Sequence, residues 1–132
     1  MDLCNRNHIQ ALLNRHGFHF SKALGQNFLI DGSVPLRIAE GCEPDGATGV
    51  LEIGPGIGPL TQQLAQRAAK VVSVELDRRL YPVLGETMAA YDNFTLVEGD
   101  IMKCDLAALV EEHFGGLRPI CALICPTILP LP

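Results

Sequence analysis

The chain of 132 residues is one domain's length, and 48% hydrophobic with 19% charged residues is the balance of a soluble globular protein. No apolar run reaches the roughly 18–20 residues of a membrane span, and "MDLCNRNHIQALLNRHGFHF" at the N-terminus is too interrupted by Asn, Arg and His for a signal peptide. The net charge of −5 argues against a surface that grips nucleic acid everywhere. The charge is uneven: residues 1–39 carry four Lys/Arg against two Asp/Glu, and residues 40–132 carry six against thirteen. The basic head reads equally as a phosphate contact and as solvated helix charge. Cys4, Cys42, Cys104, Cys121 and Cys125 are odd in number and form no C-x-x-C pair. They read as reduced thiols of a cytosolic protein, with neither a disulfide framework nor a metal site.

In chain order, "NHIQALLNRHG" spaces Ile9, Leu12 and Leu13 for a short amphipathic helix stopped by Gly17. "FSKALGQNFLID" reads as a loop. "GSVPLRIAEGC" reads as a helix with Ser33 as N-cap and Gly41 at its end, and "EPDGATG" as a turn cluster. The pattern then changes. "GVLEIG", "KVVSVELD", "FTLVEGD" and "RPICALI" are strands, separated by the helices "PLTQQLAQRAA", "RRLYPVLGETMAAY" and "DLAALVEEHFGG". Strand alternating with helix predicts a parallel sheet covered on both faces, an α/β fold.

The chemistry centres on "LEIGPGIGPL". A strand ends at Glu52-Ile53, and Gly54, Gly56 and Gly58 alternate before a helix opens near Leu60. Glycines permit a tight turn and a close ligand approach, and the first helical turn offers free N–H groups to a negative ligand group. A dinucleotide fingerprint needs glycine where Pro59 stands, so a pyrophosphate is disfavoured. Glu75 ends the second strand, where a carboxylate reaches the two hydroxyls of a ribose. Asp77 is expected to cap the following helix. Asp100, just past the third strand, suits an adenine amino group and reads equally as a turn aspartate after Gly99. The implied ligand is an adenosine with its ribose and without a pyrophosphate.

"LEIGPGIGPLTQQLA", "VVSVELD" and "VEGDIM" resemble the first three motifs of S-adenosylmethionine-dependent methyltransferases. Together with "LGQNFLID", they make the chain from about Gly17 to Ile120 similar to the ribosomal RNA adenine dimethyltransferases. The resemblance implies a Rossmann-like class I methyltransferase domain, followed in the family by a small helical domain. It also implies that Asn27, Leu29, Gly54, Glu75 and Asp100 contact S-adenosylmethionine. The implied activity is dimethylation of N6 on two adjacent adenines near the 3′ end of small-subunit ribosomal RNA, with the small ribosomal subunit as partner. A monomer in a bacterial cytoplasm, without a membrane and contributing to ribosome biogenesis, completes the expectation.

The family's catalytic Asn-Leu-Pro-Tyr-Tyr motif, which follows its fourth strand, is absent; this chain reads "CALICPTILPLP". In the family a flipped adenine stacks on an aromatic ring there, while Asn and a backbone carbonyl accept from N6. Three prolines at Pro126, Pro130 and Pro132 should end strand pairing. With suitable synonymous bases, codons from Ile124 onward, read one base earlier, spell Asn-Leu-Pro-Tyr-Tyr-Ile-Thr-Thr-Pro. The expected organisation is therefore N-terminal helices and a cofactor-contact loop over 1–48, a partial methyltransferase domain over 49–124 truncated after about four strands, and an out-of-frame tail over 125–132. No residue of the chain is assigned a catalytic role. A non-catalytic remnant that binds the adenosine cofactor or RNA is the alternative, and a nicotinamide-dependent oxidoreductase is opposed by Pro59. The coding DNA tests the frame: a TGC codon is expected at Cys125, whereas TGT would place Ser at the motif's Pro and end the idea.

Overall fold

The computed structural model describes residues 2–18 and 32–123. The expected "LGQNFLID" loop with Asn27 and Leu29, and the tail from Ile124, lie outside the described residues. Four strands, β1 (Thr48–Ile53), β2 (Lys70–Glu75), β3 (Phe94–Glu98) and β4 (Arg118–Leu123), form one sheet in the order β3-β2-β1-β4. All pairs are parallel, with Val50 opposite both Val71 and Ile120. The order reverses at β1, because β2 and β3 extend to one side of it and β4 to the other.

The β-branched and apolar strand residues alternate between two buried faces, as covered parallel strands must. Val50, Val71 and Ala122 pack under three helices: α2 (Ser33–Gly41), α3 (Pro59–Ala65) and α4 (Tyr81–Thr87). Leu60, Leu64 and Ala68 join that cluster, as their spacing predicts. Leu51, Val72 and Val74 face the other way, against Leu109, Val110 and Phe114 of α5 (Leu106–Phe114). A third cluster joins Ile9, Leu12 and Leu13 of α1 (Arg6–Arg15) to Ile57, Leu80 and Val83. The N-terminal helix thus packs on the loop that follows β1. Arg15 and His16 also bond Glu86 of α4.

Three local expectations are corrected. Ser33 is the first residue of α2; Gly32 occupies the cap position and makes no side-chain cap bond. The helix after the glycine loop ends at Ala65, and Asn93 Nδ2 donates to the carbonyls of Ala65 and Ala68 just there, satisfying acceptors left open at the helix end. The helix expected over 78–91 divides into a 3-10 turn, Arg78–Leu80, and α4. Pro82 is the reason: it lacks an N–H and is tolerated only in a helix's first turn, so α4 starts there.

Among the described residues, Cys42, Cys104 and Cys121 form no disulfide. No helix among the described residues is long and apolar enough to cross a membrane.

Gly49 of β1 and Phe114 fit closely in the core. A Cβ at Gly49 would lie 2.4 Å from the Phe114 ring, which is itself 4% exposed. Gly49→Ala is expected to cost roughly 1–3 kcal/mol, the usual range for overpacking. Urea unfolding measures this loss, and Phe114→Leu in the same chain should recover part of it.

Candidate functional site

The parallel strands end on one rim, and the loops leaving them bring the chemistry-bearing residues together. Gly54, Gly56 and Gly58 have φ of 69°, 62° and 104°, the left-handed region that glycine enters without strain. Two backbone bonds set the turn: Gly54 N–H donates to Val74 O at 3.0 Å and Gly58 N–H to Pro55 O at 3.0 Å. Pro59 opens α3 and removes one of the N–H donors that an anion would use. A Cβ added at Gly56 would meet nothing within 4 Å, so space is open beside the loop.

Glu75 ends β2 and is 7% exposed. Its Oε1 accepts from Gly56 N–H at 3.1 Å, and its Oε2 accepts from Asp77 N–H at 2.9 Å. The carboxylate therefore holds the glycine loop and the next turn while standing on the rim. Its own carbonyl accepts from Tyr81 Oη at 2.9 Å and Gly99 N–H at 3.0 Å, which joins the three loops.

Asp77 caps the 3-10 turn by accepting from Arg79 N–H at 3.0 Å, as expected. The Arg79 guanidinium bonded to its side chain holds its carboxyl below the usual range. Arg79 in turn lies over the Phe18 ring, 5.4 Å from its centroid.

Asp100 lies two residues past Glu98, the register partner of Glu75. Its Oδ1 caps the 3-10 turn Ile101–Lys103 by accepting from Met102 N–H at 2.9 Å, a bond that uses one of its two carboxylate oxygens. Gly54, Glu75 and Asp100 thus share the carboxyl rim of the sheet. Two apolar side chains flank them in solvent: Leu76 is 64% exposed and Met102 86%.

Sequence reasoning did not single out Glu52. It is 1% exposed, two positions before Gly54, on the same sheet face as Val50. Its Oε1 accepts from Thr61 Oγ1 at 2.5 Å and from Ser73 Oγ at 2.8 Å. Burial raises its pKa to about 7; the two hydroxyl bonds lower it less, and the nearby Glu75 charge adds a small rise. The available signal was period two: counting inward from Val50 puts a carboxyl at a buried strand position.

The proton on Glu52 gives stability a definite pH dependence. Below about pH 4.5 the folded and unfolded chains both hold it, and the group is neutral in each. Between about 4.5 and 7 the unfolded chain releases it while the folded chain keeps it, so stability falls as pH rises. Above about 7 the full cost is present, on the order of 3 kcal/mol. Glu52→Gln should lose about that much less stability than the parent between pH 4.5 and 8, as read by urea unfolding across pH. Equal slopes in the two proteins would show that another group carries the effect.

Comparison with known proteins points one way. Residues 17–123 match the family model of the ribosomal RNA adenine dimethylases. The ribosomal RNA small subunit methyltransferase A of Bacillus pumilus is 47% identical over 111 residues, which are 84% of this chain and 38% of that protein. This chain therefore spans about two fifths of the length of the curated relatives it matches. Among solved structures, the 23S rRNA methyltransferase ErmE superposes with a TM-score of 0.55 at 39% identity, covering 58% of this chain and 31% of that one. An RNA methyltransferase from Salinibacter ruber, in complex with S-adenosyl-L-homocysteine, shares the fold. Its TM-score is 0.53 at 20% identity, over 58% of this chain and 53% of that one.

Proposed function

Because the chain belongs to the ribosomal RNA adenine dimethylase family, we propose that its carboxyl rim binds S-adenosylmethionine. It is the cofactor half of an enzyme that dimethylates N6 of two adjacent adenines near the 3′ end of small-subunit ribosomal RNA. The carrying observation is the placement of Gly54, Glu75 and Asp100 on one rim beside open space at Gly56. Those residues suit this cofactor. Glu75 can accept from both ribose hydroxyls, Asp100 has a carboxylate oxygen for the adenine amino group, and exposed Leu76 and Met102 offer apolar contact for the base. Pro59 in the loop is compatible with a ligand that has no pyrophosphate. Asn27 and Leu29 are proposed as further contacts from the "LGQNFLID" stretch.

When bound, S-adenosylmethionine supplies an electrophilic methyl group on its sulfonium. The chain's own residues orient it: Glu75 fixes the ribose and, through Gly56, the loop, while Asp100 sets the end of the adenine. Holding the target adenine is a separate task. In the family it belongs to the Asn-Leu-Pro-Tyr-Tyr motif, and here β4 is followed by Ile-Cys-Pro-Thr. The proposal is therefore cofactor binding without methyl transfer for this 132-residue chain. The full reaction is assigned to a monomer acting on the small ribosomal subunit in the cytoplasm, as part of ribosome biogenesis.

Calorimetry with S-adenosylhomocysteine tests the rim. Glu75→Ala should weaken binding roughly 10–100-fold, because hydrogen bonds to a charged group carry about 1.5–3 kcal/mol. Asp100→Ala should weaken it several-fold. An unchanged affinity in both variants would place the ligand elsewhere. In a second assay, labelled S-adenosylmethionine and unmethylated small subunits are incubated with the purified chain. No N6-dimethyladenine is expected, and robust formation would show that the residues after β4 suffice for catalysis.

A further inference from the structure

Helix α1 ends in a way that places one aromatic ring. Gly17, with φ of 79°, is the left-handed residue that follows the helix cap His16. Its N–H donates to Asn14 O at 3.2 Å, and Phe18 N–H donates to Leu13 O at 3.0 Å. In this paired-bond ending the residue after the glycine packs back on the helix. Phe18 does so, against the cluster that holds Leu12, Leu13, Ile57 and Leu80. Arg15 and His16 moor the same end of α1 to Glu86 of α4. The ring so placed lies under the Arg79 guanidinium, whose Nε and Nη2 donate to the two Asp77 oxygens at 3.1 and 2.7 Å. Asp77 N–H donates in turn to Glu75 Oε2 at 2.9 Å, and Glu75 Oε1 accepts from Gly56 N–H.

We propose that Phe18 is a positioning residue for the ribose contact: it seats Arg79, which through Asp77 sets the carboxylate of Glu75. A salt bridge from a guanidinium that is 74% exposed is ordinarily a weak tie, because a long side chain must give up its freedom while water screens the charges. An aromatic face beneath the cation attracts it and removes part of that freedom in advance. The two-pronged bond to Asp77 then has a fixed direction. Helix α1 also reaches the other segment that Glu75 holds, since Ile57, between Gly56 and Gly58, shares its cluster with Leu12 and Leu13. One short helix therefore touches both neighbours of the carboxylate, the loop through Ile57 and the turn through Leu80 and Arg79. The effect on binding rests on the reading of Glu75 as the ribose contact; the setting of Glu75 by Phe18 does not.

Calorimetry on the 132-residue chain compares S-adenosylhomocysteine with its 2′-deoxy analogue, which lacks one ribose hydroxyl. The parent should prefer the full ligand about tenfold, and Glu75→Ala should bring the two affinities together. Phe18→Leu keeps an apolar side chain and removes the ring; it should cut the preference several-fold and leave affinity for the analogue nearly unchanged. Arg79→Lys keeps the charge and removes the second prong, with the same expected result, whereas Phe18→Tyr should behave as the parent. Arg79→Lys changes an exposed side chain and decides the matter if Phe18→Leu does not fold. A preference that stays at the parent value in both variants, or a loss that falls equally on both ligands, would overturn the proposal and leave the ribose contact standing. A parent with no preference for the full ligand would refute the ribose contact instead. The amide NMR signal of Gly56, on the far oxygen of Glu75, then tests the positioning by itself. It should move in Phe18→Leu and in Arg79→Lys and hold still in Phe18→Tyr; a signal unmoved in the first two would overturn the role of Phe18.

Discussion

A central parallel strand must leave its sheet and start a helix without stranding backbone polar groups, and the turn from Gly54 to Gly58 meets that constraint here. The solution uses left-handed backbone at three glycines and two main-chain bonds, to Val74 and Pro55. It also uses two carboxyl side chains, Glu52 from within and Glu75 from the rim. The direction of α3 follows from that turn. So does the delivery of Leu60 and Leu64 to the core that covers Val50 and Val71.

The remaining packing keeps the turn in place. Ile57, at its crest, is 1% exposed because Leu12 and Leu13 of α1 and Val83 of α4 cover it. The N-terminal helix is thereby part of the site's scaffold. On the opposite face α5 presses Phe114 against Gly49, which fixes β1 from below. The strand is set by a contact that leaves no room for a methyl group at Gly49, while the loop stays open at Gly56.

At the rim, the Glu75 carboxylate holds the structure and is also the proposed ribose contact. Glu75 satisfies the amides of Gly56 and Asp77, two donors that would otherwise face solvent or ligand. A ribose that took up this carboxylate would have to share it with those amides or displace them. Its affinity is then coupled to the geometry of the loop. Asp100 is placed similarly, with one oxygen committed to Met102 N–H. Recognition groups that also cap their own loops arrive pre-oriented, which lowers the ordering cost of binding.

Much was legible in one dimension. Apolar strands alternating with helical spacing determined an α/β chain with parallel pairing, because period two and period 3.6 are local properties of sequence. The glycine spacing, the end-of-strand carboxylates and the cap at Asp77 were equally local. The family motifs marked Gly54, Glu75 and Asp100. Tertiary structure alone decided the order β3-β2-β1-β4, the packing of α1 on Ile57 and the early end of α3 at Ala65. The carbonyl at that end is bonded by Asn93, 28 residues away from Ala65. It alone also decided the state of Glu52. A carboxyl's proton is set by its solvation and its partners, and here those are Thr61 and Ser73, brought from another helix and another strand. Sequence carries the side chain; only the fold removes the water.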